Sequence, residues 1–319
     1  MTRIFSVHPY TAGKRKYDVF IAAVGFEARA VHVAQSVEIH AERRIAIGFK
    51  DRHTLNYSAN KNWFHQNGFE YLELDDNEFR TTLLNVLSEL SRDTDHRPTL
   101  AIDISCFNRY RLATMVDLVS TAKIHATHIN VDFLYVIGAF SPPSTHSFPN
   151  TFVGPISRQF AGWTVDPALP PAAVIGLGYE QDKALGAVDH LQITHVLAFI
   201  PESTVPEYFP AVKSANASLL GTLKKTNVFN YQVDDPVSCF YTLESIINGL
   251  SAAYNPILLP FGPKIFTICA LLAATKHPNA AVWRVSGGEL EKPSDRAASN
   301  HIVGLTVCFQ EDEQTLSKM

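Results

Sequence analysis

Residues Asp18–Val37 read DVFIAAVGFEARAVHVAQSV, and residues Ala172–Leu191 read AAVIGLGYEQDKALGAVDHL. Each is an apolar run, a Gly-aromatic-Glu corner and a helical pattern. The echo continues in order. RRIAIGFKD from Arg43 is answered by HVLAFIPES from His195, and FEYLELDDNEF from Phe69 by FNYQVDDPVS from Phe229. TLAIDISCFNRYRLATMVDLV from Thr99 is answered by PILLPFGPKIFTICALLAAT from Pro256, and INVDFLYVIGAF from Ile129 by AAVWRVSGGEL from Ala280. Five matches in one order, about 150–160 residues apart, define an internal period that governs the whole fold reading.

The short apolar runs are continuous, not alternating, which fits parallel strands covered on both faces. Amphipathic stretches separate them, such as Phe79–Leu90 with Leu83, Leu84, Leu87 and Leu90. Strand–helix alternation gives a three-layer α/β unit. The sequence therefore predicts two tandem Rossmann-like lobes with mostly parallel sheets. Lobe 1 is expected over 1–140, a connector over 141–170, and lobe 2 over 171–319. The connector is rich in Pro and Ser, and its Phe152, Phe160 and Trp163 are expected to pack on a lobe. Two similar lobes would pair about a pseudo-two-fold axis and share one cleft.

Composition narrows the function. The chain has 319 residues, 46% hydrophobic and 18% charged, enough for two ordinary cores. A formal charge of −4 argues against direct binding of long nucleic acid. The basic run Lys14–Lys16 reads as a solvated strand start, and the polar tail from Glu311 as disordered. No apolar run is long enough to span a membrane, and the N-terminal residues lack a secretory apolar core. The four cysteines are far apart without a CxxC pair, giving neither zinc ribbon nor disulfide framework. A cytoplasmic protein without metal or cofactor is expected.

Ligands of open α/β sheets lie beyond the carboxyl ends of the strands, at the switch point of strand order. The loops after the first and fourth strands are therefore the candidate site. After the first strand come Gly25, Phe26, Glu27 and Arg29, answered by Gly178, Tyr179 and Glu180. The glycines allow a tight turn and close approach. Each Glu falls at a helix start, where either a cap or a bound anion is favoured. GxGxxG is absent. After the fourth strand come Asp103, Ser105, Cys106, Asn108 and Arg109, answered by Pro260-Phe261-Gly262-Pro263-Lys264. Ser105 and backbone amides suit a phosphate, with Arg109 and Lys264 to neutralise it. The Asp75-Asp76 and Asp234-Asp235 pairs open helices and read as caps. Asp51-Arg52-His53 is a further polar corner. His125 and His128 are a weak metal pair, and Ser105 and Cys106 lack a visible base.

Asp103-Ile104-Ser105 followed by Asn108-Arg109, with Gly262 and Lys264 in the second half, resembles the fourth-strand motif of CARF domains, Rossmann-like sensors of cyclic oligoadenylates in prokaryotic immunity. Two fused lobes are similar to SAVED domains. The double glycine of that motif is missing from both copies. The resemblance implies a nucleotide-type ligand in the inter-lobe cleft, held by Gly25, Phe26, Arg29, Ser105, Asn108, Arg109, Gly178, Tyr179, Glu180 and Lys264. It also implies a separately encoded effector partner in antiphage defence. The alternative is an enzyme of lobe 1 alone, hydrolysing a phosphodiester or N-glycosidic bond with Glu27 and Asp103 as catalytic acid and base. A third reading is a structural adaptor.

Overall fold

The computed structural model describes residues 2–13, 15–51, 53–90, 97–121, 128–143, 149–164, 166–287 and 293–311. Lys14, Arg52 and His125, named above, lie outside them, as does the tail after Glu311. The strands are β1 (Thr2–Pro9), β2 (Lys16–Ala23), β3 (His40–Phe49), β4 (Glu70–Leu74), β5 (Thr99–Asp103), β6 (His128–Gly138) and β7 (Phe152–Pro155). They continue with β8 (Pro171–Gly176), β9 (His195–Glu202), β10 (Val228–Gln232), β11 (Asn255–Pro260), β12 (Ala281–Ser286) and β13 (Ala298–Glu311). The helices are α1 (His32–Ser36), α2 (Tyr57–Gln66), α3 (Asp76–Leu90), α4 (Arg109–Thr121), α5 (Lys183–Leu191), α6 (Tyr208–Ala215), α7 (Ala217–Thr222), α8 (Pro236–Leu250) and α9 (Lys264–Lys276).

The fold is mixed α/β with two mostly parallel sheets. One has the order β1-β13-β6-β5-β2-β3-β4, the other β10-β9-β8-β11-β12-β7. The five parallel strands of each sheet, numbered along the chain, lie in the same spatial order, third-second-first-fourth-fifth. Burial explains why these segments are strands. Leu100, Ala101 and Ile102 of β5 are 0% exposed, as are Ala173, Val174 and Ile175 of β8, so both faces of each sheet are covered.

Helix starts follow local chemistry. Asp75 Oδ1 accepts the amides of Asn77 and Glu78, both at 2.9 Å, while Glu78 Oε2 accepts the Asp75 amide at 2.8 Å. That is a reciprocal capping box for α3. Asp235 caps α8 through Ser238 N at 3.0 Å, with Pro236 at its first turn.

The division of the chain departs from the sequence reading. One unit is Met1–Ala139 with Pro293–Met319, and the other is Phe140–Lys292. Residues 293–311 do not belong to the second unit, because β13 pairs antiparallel with both β6 and β1 of the first. The segment read as a connector joins the second sheet, where β7 pairs antiparallel with β12. Phe160 there is buried, but Trp163 is 78% exposed and held through its backbone to Pro278 O at 2.8 Å. Arg15 is not merely solvated. It reaches Asp132, 1% exposed, at 2.8 Å, and that carboxylate also accepts from Tyr17 and Thr306, both at 2.6 Å.

Candidate functional site

In the first unit the order reverses between β2 and β5, and the corners after these strands touch. Gly25 follows the end of β2. A Cβ placed on it would lie 2.6 Å from Cys106 Cβ, so the approach of the two corners requires glycine. Asn60, buried on α2, donates its side-chain amide to the carbonyls of Gly25 and Glu27, each at 2.9 Å. Phe26 is half-buried against the core, and its carbonyl accepts from Asn56 N at 3.1 Å.

Arg29, at 2% exposure, lies inside the fold. Its Nε meets Glu27 Oε2 at 2.7 Å, its Nη1 meets the Val136 carbonyl at 2.8 Å, and it sits 5.5 Å from the Tyr135 ring centroid. The next turn is taken up as well: Ala28 N donates to Asp295 Oδ1 at 2.7 Å, and Arg29 N to Arg296 O at 3.1 Å. Glu27 and Arg29 therefore balance one another within the unit.

At the fourth-strand corner, Asp103 Oδ1 accepts Ser105 N at 2.9 Å, and Ser105 Oγ, fully buried, accepts Val136 N at 2.9 Å. Asn108 Oδ1 caps α4 through Arg111 N at 2.7 Å. Ser105 and Asn108 thus spend their side chains on the fold, while Arg109, half-buried, opens α4 at the sheet edge. Arg111, 1% exposed, is the residue that binds the edge together. It donates to Asp76 at 3.0 Å, to Gly48 O at 3.1 Å and to Leu74 O at 2.5 Å, with its guanidinium 3.9 Å from the Phe49 ring centroid.

The second unit builds the equivalent corner more tightly. The order reverses between β8 and β11. Phe261 N and Gly262 N both donate to Gly176 O, at 2.9 and 3.0 Å. A Cβ on Gly262 would lie 2.6 Å from the Leu177 oxygen, and one on Gly178 would lie 3.0 Å from the Phe261 oxygen. Asn216, 1% exposed, donates to Gly178 O at 2.7 Å and Val212 O at 2.8 Å. Tyr179 is half-buried, Glu180 is exposed, and Lys264 is the first residue of α9, whose residues Ile265–Ala274 are all buried.

The sequence reading did not single out the two asparagines that clamp these corners. A signal existed: Ser58-Ala59-Asn60 recurs as Ser214-Ala215-Asn216, each after the second parallel strand of its sheet, the first in the opening turn of α2 and the second at the end of α6.

A second polar group lies past β3 and β4. Tyr57 Oη is 3.0 Å from Tyr71 Oη, and Tyr71 donates to Glu73 at 2.5 Å. Burial, reinforced by the Glu73 carboxylate, pushes the Tyr71 phenol far up. The same hydrogen bond holds Glu73 below the usual carboxylate range. His53 stacks on Tyr57 at 4.2 Å and donates to the Phe49 carbonyl. Among the described residues no group of three or more His, Cys, Asp or Glu side chains could hold a metal ion, and no helix is long and apolar enough to cross a membrane.

No protein-family profile matches the chain, and no curated protein is detectably similar to it in sequence.

Proposed function

We propose that the chain is a pair of Rossmann-like lobes, related by internal duplication, that binds a nucleotide-type ligand at the carboxyl edge of its strands. The observation that carries this reading is the shape of the two switch points. In both units the first- and fourth-strand corners meet where only glycine fits, and one basic residue, Arg109 or Lys264, opens the buried helix behind them. Ligands of open α/β sheets bind at that position, and a basic residue at a helix N-terminus favours an anionic group such as a phosphate. The repeated Ser-Ala-Asn clamp supports the duplication. Glu27 is paired with Arg29, and Asp103 holds Ser105 N, which favours recognition over acid–base catalysis. The resemblance to CARF and SAVED domains supports a cyclic oligonucleotide as ligand and a defence pathway with a separate effector.

The test is a thermal-shift screen against mononucleotides, NAD and cyclic oligonucleotides. A ligand at a hundred times its dissociation constant stabilises by about 2.7 kcal/mol. Arg109→Ala and Lys264→Ala are each expected to weaken the hit by about 1.5–3 kcal/mol. If millimolar nucleotides produce no shift and both variants keep cellular activity, the reading is wrong.

A further inference from the structure

The second unit carries two further features beside its Gly178 corner. The first is a cluster of three half-buried rings. Tyr208, which opens α6, lies 5.2 Å from Phe140 and 5.4 Å from Tyr179, and Phe140 lies 6.4 Å from Tyr179, all between ring centroids. The second is Glu202, the last residue of β9. Asn230 donates to its Oε1 at 2.6 Å and Gln232 to its Oε2 at 2.5 Å. Both donors are neutral amides. A carboxylate offers about four acceptor positions, so about two stay open.

These features share one face of the sheet. Gln232 pairs in register with Glu202 and Asn230 with Ile200, and Tyr231 between them turns the other way, toward Phe199 and Phe266. Ile200 and Ala198, on the face of Glu202, belong to the core cluster against which Tyr179 packs. An aromatic surface and an oriented carboxylate therefore stand at the same strand edge, next to the corner that Lys264 flanks.

We infer that this edge is a nucleoside seat: the Tyr179–Tyr208–Phe140 surface stacks a nucleobase, and Glu202 accepts the ribose hydroxyls. Stacking on aromatic rings tolerates any base because every base has a π-face. A carboxylate held by neutral amides is an acceptor for a diol. The inference rests on the nucleotide reading above and narrows it to a ribonucleotide with a free 2′-hydroxyl.

Calorimetric titration of the full chain with adenosine monophosphate, its 2′-deoxy analogue and ribose 5-phosphate tests it. The ribonucleotide is expected to bind about tenfold more tightly than the deoxy form, and Glu202→Gln to abolish that preference. Tyr208→Ala is expected to weaken both nucleotides about tenfold or more while ribose 5-phosphate is unaffected, and Tyr208→Phe to restore them. Equal weakening of ribose 5-phosphate by Tyr208→Ala would mean that the ring only supports the fold, which overturns the inference. Nucleotide binding that depends on Lys264 but ignores Tyr208 and Glu202 sinks the inference and leaves the broader reading standing. If the wild-type chain binds neither nucleotide, the inference falls, while the broader reading is decided by the wider screen of NAD and cyclic oligonucleotides.

Discussion

Asn216 donates its side-chain amide to the carbonyl of Gly178 at 2.7 Å, holding the first-strand corner of the second unit from inside. Asn60 does the same for Gly25 at 2.9 Å in the first. A buried carbonyl deprived of its donor bears the desolvation penalty. Asn60→Ala and Asn216→Ala should each lower stability by about 1–3 kcal/mol. Asn60→Asp should cost more, because it turns an acceptor toward two carbonyls. Urea denaturation of the four proteins checks the order.

The close approach of Gly25 and Cys106 makes a prediction about coupling. Gly25→Ala alone should destabilise by about 1–3 kcal/mol, since overpacking forces the neighbour to move. With Cys106→Gly, which removes the clashing Cβ, the penalty of Gly25→Ala should shrink by at least about 0.5 kcal/mol. A strictly additive double-mutant cycle would show that the two corners do not press on one another.

Asp132 is a buried carboxylate with Arg15, Tyr17 and Thr306 as donors. Arg15 is 45% exposed and stays solvated without its partner, so Asp132→Asn loses mainly charge-assisted hydrogen bonds and should cost about 1.5–3 kcal/mol. Arg111→Lys should be comparably damaging. Lysine cannot reproduce the fork that reaches Asp76, Gly48 O and Leu74 O, nor the stacking on Phe49. Equilibrium unfolding of both variants is the measurement.

Stability should fall at alkaline pH. Burial lifts the phenols of Tyr17 and Tyr71 above the ordinary value of 10.0, and Asp132 and Glu73 push the same way. A group raised in the folded state binds its proton there after the unfolded chain has released it. Its contribution is complete below pH 10 and drains away as the pH rises further. Denaturation midpoints measured from about pH 8 to 11 should decline above 10, and Tyr17→Phe and Tyr71→Phe should each flatten the decline.

The parallel strands and helix caps were legible because each is written locally, as an apolar run or an Asp two or three residues before its amide partner. Gly25, Gly178 and Gly262 were legible as corners for the same reason. What the sequence concealed was non-local. β13 alternates buried and half-buried residues over part of its length and follows the second unit directly, so nothing nearby reveals that its partner is β6. Asp132 sits inside an apolar strand, where its three donors come from β13 and the segment around β2. Arg29, Ser105 and Asn108 are polar residues at the strand edge, and only their partners distinguish a fold role from a ligand role. Glu202 stood beside Ser203 as one more acid at a corner; its two amides lie about thirty residues away, on the neighbouring strand.

The placement of β13 bears on the order in which a ribosome can deliver this molecule. Among the described residues β1 pairs with β13, which separates it from β6. The first unit's sheet therefore cannot close until residues 298–311 have been synthesised. The second unit is continuous in sequence and can fold first, while the earlier strands wait with an open edge at β6. The usual N-terminal-first order of cotranslational folding is therefore not open to the complete first sheet. A nascent chain stalled before residue 298 would present the unpaired β6 edge, a site for aggregation or chaperone capture.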